Sequence, residues 1–424
     1  MDSKEQHPDK LARLGHALAL QKTTVSLLVL VVFVGMGERL AERFLPVYLI
    51  ALGGGPLVVA LFQAMDNGLS ALYSLPGGYL ADRVGEKKSL LIFNLIAASG
   101  FAAVIAFPFW QVVIIGAVCF ISWSAISLPA TMSLIYKVLP AGKRTMGVSM
   151  HSLVRRIPMA LGPLAGGALI ELYGIEKGMR LAFTVALGLA VIAIFMQQRL
   201  LPGHSEQRRE EKGQEKNERN DATSAPPYSL RYLRSLYGKM PADLRRLLVT
   251  DILIRFCEQI PYAFVVVWCL QEIAHPVSPI DFGILTTIEM ATAVLIYIPV
   301  AFFADKGEKK PFVLTTFIFF TLFPLVLLAS HSFWVLVPAF VLRGLKEFGE
   351  PTRKSLILDL SPPDCRAAMF GLYYLIRDLI VAVAALTGGF LWQVSPRANL
   401  LTAFAFGVAG TVAFAAKGRS ISPH

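Results

Sequence analysis

The chain has 424 residues, 55% of them apolar and 16% charged, against about 25% charged in an ordinary soluble domain. That composition excludes a disordered chain, and four cysteines in this length exclude a disulfide scaffold. The net charge of +11 fits a lipid bilayer rather than nucleic acid: membrane proteins gather Lys and Arg in cytoplasmic loops, and no basic patch alternates with aromatics on a water-soluble module.

Residues 1–23 are polar and mixed in charge, which reads as a cytoplasmic N-terminal segment. The apolar stretch behind them is long and lacks a small-residue cleavage site, so it reads as an uncleaved first span and not as a signal peptide. A membrane helix needs about 20 mostly apolar residues. Twelve such spans follow one another near 24–51, 56–80, 88–108, 110–137, 146–172, 179–199, 246–271, 279–304, 311–330, 332–360, 367–392 and 398–416. Between spans 6 and 7, the segment 200–245 is charged, holds Pro226 and Pro227, and reads as a cytoplasmic linker without fixed structure near 203–227. Residues 417–424 form a short tail.

Lys and Arg collect on one side. The loops after even-numbered spans carry Arg83, Lys87 and Lys88, then Lys137, Lys143 and Arg144, then Lys306, Lys309 and Lys310, then Arg366, and the linker adds more. The opposite loops offer Lys177, Arg180 and Arg397. Both termini are therefore expected in the cytoplasm of a multi-pass protein of the plasma (inner) membrane.

The chain repeats itself. At an offset of 222, Pro129, Ser133, Arg144, Arg155, Gly166 and Gly167 match Pro351, Ser355, Arg366, Arg377, Gly388 and Gly389. At 223, Asp66, Pro76, Ala81 and Asp82 match Glu289, Pro299, Ala304 and Asp305; at 216, Arg39 and Glu42 match Arg255 and Glu258. Leu matches in apolar sequence carry no information, but matches of Pro, Arg and acids inside membrane spans do. The expected fold is all-α and membrane-embedded: two six-helix bundles, 24–199 and 246–416, related by a parallel repeat, with a substrate site between them.

With these residues assembled, the chain resembles the major facilitator superfamily of the twelve-helix type, and within it bacterial proton-coupled efflux transporters. The loop after span 2 reads Gly78-Tyr-Leu-Ala-Asp82-Arg83-Val-Gly85-Glu-Lys87-Lys88, similar to the family's signature loop, with a degenerate copy ending Ala304-Asp305-Lys306-Gly307. The resemblance implies that Asp82 and Arg83 are gate residues tying the halves together on the cytoplasmic side, and that spans 1, 4, 7 and 10 line a central cavity. Gly162-Pro163-Leu-Ala-Gly166-Gly167 in span 5 resembles the family's antiporter motif, although Pro158 stands where that pattern has glycine. A plain packing seam explains the same residues. Span 4 lacks the mid-helix arginine of many exporters; span 10 has Arg343-Gly344 instead.

An ionisable group inside a membrane helix costs roughly 2.5–3.5 kcal/mol on insertion scales and usually faces a cavity or a partner. Span 1 holds Glu38, Arg39, Glu42 and Arg43; span 7 holds Asp251, Arg255, Glu258 and Gln259; span 10 holds Arg343, Lys346, Glu347, Glu350, Arg353 and Lys354. Asp66 and Glu289 sit mid-helix in spans 2 and 8, Arg155 and Arg156 in span 5, Arg377 and Asp378 in span 11, and His151 inside span 5. Acids and bases nearly balance, so mutual pairing explains many of them, and no basic excess marks a purely anionic substrate. Desolvation raises a carboxylate's pKa and a nearby arginine lowers it, so an acid that gains and loses an arginine during a rocking motion can carry a proton. Glu42 and Glu258, each with an arginine three residues earlier, are the first candidates for proton coupling; Asp66 and Glu289 are the next.

No glycine-rich phosphate loop, metal motif or nucleophile–base set is visible, so no cofactor, metal or enzymatic activity is expected. The expectation is a secondary active transporter for a small molecule, working by alternating access against a proton gradient. It would act as a monomer, as is typical of the family, without nucleic acid. Span 5 favours proton-driven efflux; import of a polar or zwitterionic nutrient is the rival.

Overall fold

The computed structural model describes residues 22–84, 86–120, 154–200, 230–304 and 308–418. In hydrocarbon every backbone N–H and C=O must be satisfied within the protein, and apolar runs of this length meet that demand as helices. Each expected span has a helical counterpart. Spans 2, 3, 5 and 6 are Gly55–Val84, Glu86–Ala106, Arg156–Tyr173 and Ile175–Leu200, and span 4 is described as Trp110–Phe120. Spans 8, 9, 11 and 12 are Pro279–Ala304, Lys309–Ala329, Arg366–Val394 and Pro396–Lys417.

Three spans are broken, and proline marks each break by removing a backbone donor. Span 1 is Lys22–Glu42 followed by Leu45–Ala51, with Pro46 opening the second piece. Span 7 is Ala242–Tyr262, with Pro261 in its last turn, then Val265–Val267 running into a π-helical turn, Trp268–Glu272; the two parts bend by 44°. Span 10 is Phe333–Leu345 and Glu350–Leu360, with Pro351 opening the second piece.

Among the described residues, five helices are long and apolar enough to cross a bilayer unaided, and the bent span 7 makes a sixth. Spans 1 and 10 are interrupted and charged, glycine and proline dilute span 5, and the apolar part of span 3 is short; residues 121–137 of span 4 lie outside the described residues. Leu172, Leu295, Trp334 and Val394 are all at least 75% exposed, an apolar outer surface that suits acyl chains and not water.

Span 5 packs along span 8 and span 2 along span 11, and these two seams join the halves. Moving each helix to its counterpart six places on turns the first contact into the second. Inside the halves the same rule holds: span 1 packs on spans 5 and 6 as span 7 does on 11 and 12, and span 3 packs on span 6 as span 9 does on span 12. The two bundles are thus parallel copies.

Paired glycines set the closeness of these contacts. A Cβ on Gly166 would collide with the Leu40 carbonyl of span 1, and one on Gly388 with the Ile260 carbonyl of span 7. A Cβ on Gly167 would collide with the Pro279 carbonyl of span 8; one on Gly389 would strike Ala60 and crowd the Pro56 carbonyl of span 2. Pro56 and Pro279 are 223 residues apart, so the repeat extends to the contacts themselves. They also correct one register. Leu40 and Ile260, and the break residues Phe44 (φ −102°, ψ −4°) and Phe264 (φ −94°, ψ −7°), are equivalent at an offset of 220. The Arg/Glu match at 216 is one helical turn out. An i,i+3 ion pair is a local pattern that recurs along a helix face without marking equivalent positions.

The segment 230–238 forms an additional helix, Leu230–Gly238, inside the expected linker. Its buried Leu236 joins the apolar core beneath span 11. The remainder of the linker expected to lack fixed structure, 203–227, lies outside the described residues.

Introducing a side chain at Gly166 tests the seam. Gly166→Val should destabilise the fold by about 1–3 kcal/mol, the usual range for overpacking. Gly68→Ala, inside the span 2 helix with open space around Gly68, should instead stabilise by about 0.4–1 kcal/mol, the usual gain for replacing a helical glycine. Thermal unfolding in detergent measures both.

Candidate functional site

The charges of spans 1, 7, 8 and 10 converge where the halves meet. Glu289 of span 8 is 1% exposed, and neither of its carboxylate oxygens accepts a hydrogen bond among the described residues. Arg343 of span 10 approaches it with Nε at 3.4 Å, and Arg43 of span 1, from the other half, with Nη2 at 3.9 Å. Both guanidinium groups also lie against the ring of Tyr262, at 5.4 Å for Arg43 and 5.5 Å for Arg343. Arg343 is further flanked by Phe323 and Phe340. Aromatic faces attract cations, so Tyr262 gives the two arginines a common surface beside a single carboxylate.

A ladder of ion pairs runs from this point through the second half. Glu258 is bonded by Lys346 at 2.7 Å and Arg255 at 2.6 Å. Arg255 also reaches Glu350 at 3.3 Å, and Glu350 is bonded by Arg353 at 2.7 Å. Arg353 pairs with Asp251, which also accepts a hydrogen bond from the Tyr373 hydroxyl at 3.0 Å and faces Arg377 at 3.6 Å. Arg377 closes on its neighbour Asp378 at 2.7 Å. The break in span 10 serves this ladder: Lys346, Glu347 and Glu350 sit at it and point to Glu258, Arg156 and Arg255 respectively. Glu258, Tyr262, Arg343 and Lys346 line a small cavity with Phe320 and Phe323.

The described residues of the first half contribute fewer ion pairs. Arg39 bonds Glu42 at 2.5 Å, the i,i+3 pairing expected, and Glu42 keeps 34% of its side chain exposed. Asp66 is half-buried, with Gln63 one turn earlier on the same helix. It is not in an ion pair with any described residue, unlike its counterpart Glu289. Glu38 and Asn94 line a separate pocket inside the first bundle, together with Phe101 and Phe120. Arg155 is half-buried beside Arg156, and Arg156 crosses to Glu347 of the other half at 3.3 Å. Asn67 donates to Gln259 at 3.1 Å, a second bridge across the halves.

In span 5, Gly162, Gly166 and Gly167 meet the backbones of Arg39, Leu40 and Pro279, and Pro163 lies inside the helix. The neighbouring Pro158 fills the space beside Gly35 of span 1. Gly78, Asp82 and Arg83 lie on the span 2 helix, but the side chains of Asp82 and Arg83 are outside the described residues, as are Gly85, His151, Asp305 and Lys306. The sequence passed over Tyr262 as a cavity residue. A tyrosine one residue after the helix-bending Pro261, in a charge-rich span, is the signal that could have found it. Among the described residues, no group of three or more His, Cys, Asp or Glu could hold a metal ion.

A carboxylate held by bases from two bodies can exchange those partners for a proton or for the charged group of a solute. The model of the Major Facilitator Superfamily matches residues 27–270 and 247–421. A protein of Methanocaldococcus jannaschii described as an uncharacterized MFS-type transporter is 22% identical over 378 residues, covering 86% of this chain and 87% of that one. Among solved structures, the nucleoside transporter NupG superposes with a TM-score of 0.76 at 13% identity, over 94% of this chain and 100% of that one. A peptide transporter POT gives 0.73 at 15%, over 94% and 93%. A bacterial homologue of the human lysosomal transporter Spinster gives 0.67 at 13%, over 95% and 98%. At these identities the structures share the fold.

The ladder makes unequal demands on its members. Removing one side of a buried pair typically costs about 3–5 kcal/mol, against about 0–1 kcal/mol for an exposed one. Asp251→Ala, which takes a buried partner from Arg353, Arg377 and the Tyr373 hydroxyl, should therefore destabilise the protein far more than Glu42→Gln. Melting curves of the two variants under one detergent condition decide it.

Proposed function

The chain belongs to the Major Facilitator Superfamily, and on that premise we propose that it carries a small carboxylate-bearing solute together with a proton. Its class is a secondary transporter; the coupling and the direction are our reading. The observation that carries it is Glu289, held by one arginine from each half and accepting no aligned hydrogen bond among the described residues.

The sign of the coupling follows from the charges. With Glu289 ionised, Arg43 and Arg343 have a partner and gain little from a second anion. With Glu289 protonated, two buried guanidinium groups lose their counter-charge, and isolated buried charge is costly. They then favour an incoming carboxylate. Proton and anionic group bind together and leave together, which is symport. With a proton gradient directed inward, that means uptake. Glu258 and Lys346 beside the same cavity supply an acid and a base for a second charged group, so a zwitterion fits better than a simple anion. Glu258, Glu42 and Asp66 remain secondary proton sites in this reading, with Arg39, Arg155, Arg156, Arg255, Gln259, Glu347 and Arg377 setting their surroundings. Two fold neighbours are a peptide and a nucleoside transporter, which makes peptides and nucleosides reasonable first solutes to try.

A second reading, proton-driven efflux, rests on Gly162-Pro163 and Gly166-Gly167. Those glycines have a packing role against spans 1 and 8, and Gly388-Gly389 repeats it in span 11. The motif therefore carries less weight for direction than Glu289 does. The excess of Lys and Arg in the even-side loops supports cytoplasmic termini. The ends that meet at Gly167 and Pro279 then face outward, and Asp82 and Arg83 face inward as gate residues.

Proteoliposomes with an entrapped pH dye test the proposal against a panel of amino acids, dipeptides, nucleosides and organic acids. At least one carboxylate-bearing member should acidify the lumen. Glu289→Gln should abolish that acidification while solute exchange at equal pH continues. Lumen acidification of wild-type extent by Glu289→Gln would overturn the reading.

A further inference from the structure

The seam between spans 5 and 8 has a polar contact that its twin lacks. Glu171 lies in the last turn of span 5, next to the negative end of its own helix, where a carboxylate is disfavoured. Its Oε2 instead accepts a hydrogen bond from Ile280 N–H in the first turn of span 8, at 3.1 Å. First-turn N–H groups have no partner within their own helix. Ser278 and Asp281 satisfy two of them reciprocally, Ser278 N donating to Asp281 Oδ2 at 3.4 Å and Asp281 N to Ser278 Oγ at 3.2 Å. Ile280 N–H is left to the carboxylate of the opposite half, and the positive end of the span 8 dipole strengthens the contact.

The internal repeat supplies the control. At the offsets that hold for these spans, Glu171 corresponds to Gln393, Ile280 to Leu57, Ser278 to Gly55 and Asp281 to Val58. The twin seam between spans 2 and 11 keeps the glycine–proline approach, Gly389 against Pro56, and has neither the acid nor the capping pair. Close packing at this end therefore needs no carboxylate.

We infer that Glu171 is a one-sided latch: its carboxylate gains its partner only while spans 5 and 8 are closed at the Pro279 end, and it biases alternating access toward that closed conformation. When the end opens, Glu171 returns to the unfavourable terminus of its own helix. Thr287 Oγ, donating to Ala160 O at 2.9 Å further along the same seam, is neutral and adds no such polarity. The latch is a positioning device. It rests on the family's alternating access and not on proton coupling at Glu289.

Distance measurements between spin labels at Lys177→Cys and Ala274→Cys, with the four native cysteines replaced by alanine, read the Pro279 end directly in nanodiscs without solute. Glu171→Ala should raise the population with separated labels about three- to tenfold, the range for one charge-assisted contact at a helix terminus. Glu171→Asp, too short to reach, should follow it. Gln393→Glu, which offers the twin seam a carboxylate, should lower the separated population. Salt near 1 M should shrink the effect of Glu171→Ala, because an exposed ionic contact is screened and an apolar one is not. Unchanged distances in Glu171→Ala and Glu171→Asp would overturn the latch. Should Glu171→Ala fail to fold, Glu171→Asp with Gln393→Glu decides in the same way. Proton flux is not read here, so a failed latch leaves the Glu289 reading untouched, and the reverse also holds.

Discussion

A charge inside a bundle whose outer surface meets hydrocarbon has to find its partner within the protein, because no water reaches it from the lipid side. This constraint organises the second half. Asp251, Arg353, Arg255, Glu350, Glu258 and Lys346 form an alternating chain in which each acid touches at least two bases. Alternation lets the chain be buried; a lone member would be intolerable. It also explains why span 10 is broken. A continuous helix from Phe333 to Leu360 would turn Lys346, Glu347 and Glu350 through fixed angles. Unwinding between Leu345 and Glu350 frees them to reach spans 7 and 5 separately.

The repeat shows which features belong to the architecture and which to this chain. Glycine–carbonyl approaches occur in both copies, at Gly166 and Gly388 and again at Gly167 and Gly389. They are the hinge surfaces any pair of such bundles needs. The polar content differs. Glu289 is sealed between two arginines, and its counterpart Asp66 is half-buried beside Gln63. At this pair of equivalent positions the two copies have diverged: among the described residues Glu289 has arginines from both halves, and Asp66 has no ion pair.

Much of this was legible in the sequence. Apolar runs of membrane-spanning length marked the helices, and Pro, Gly, Arg and acid matches between the halves revealed the two-copy architecture. The i,i+3 partners of Glu42 and Glu258 followed from helical geometry. What stayed hidden depended on distance in space. Nothing in the order of residues says that Arg43 of span 1 and Arg343 of span 10 share one carboxylate, or that Tyr262 lies beside both. The helix at Leu230–Gly238 was masked by its charged neighbours, although Leu230, Leu233 and Leu236 have helical spacing. The register of spans 1 and 7 slipped by a turn because the same Arg–Glu pattern fits a helix face at either position.

Span 8 is where these features come together. Its first turn takes Glu171 from the opposite half, and Phe282 packs on Phe44 of span 1 at 5.6 Å and on Phe340 of span 10 at 5.7 Å. Its Thr287 bonds span 5, and Glu289 lies between Arg43 and Arg343. Seven residues separate Phe282 from Glu289, about two turns of one rigid helix. A change of partner at Glu289 and a change of contact at Ile280 thus act on the same body. On the proposed reading, a proton or solute that releases Arg43 would loosen the middle of span 8 from span 1 while Glu171 still held its end to span 5, so that the two holds would act in series.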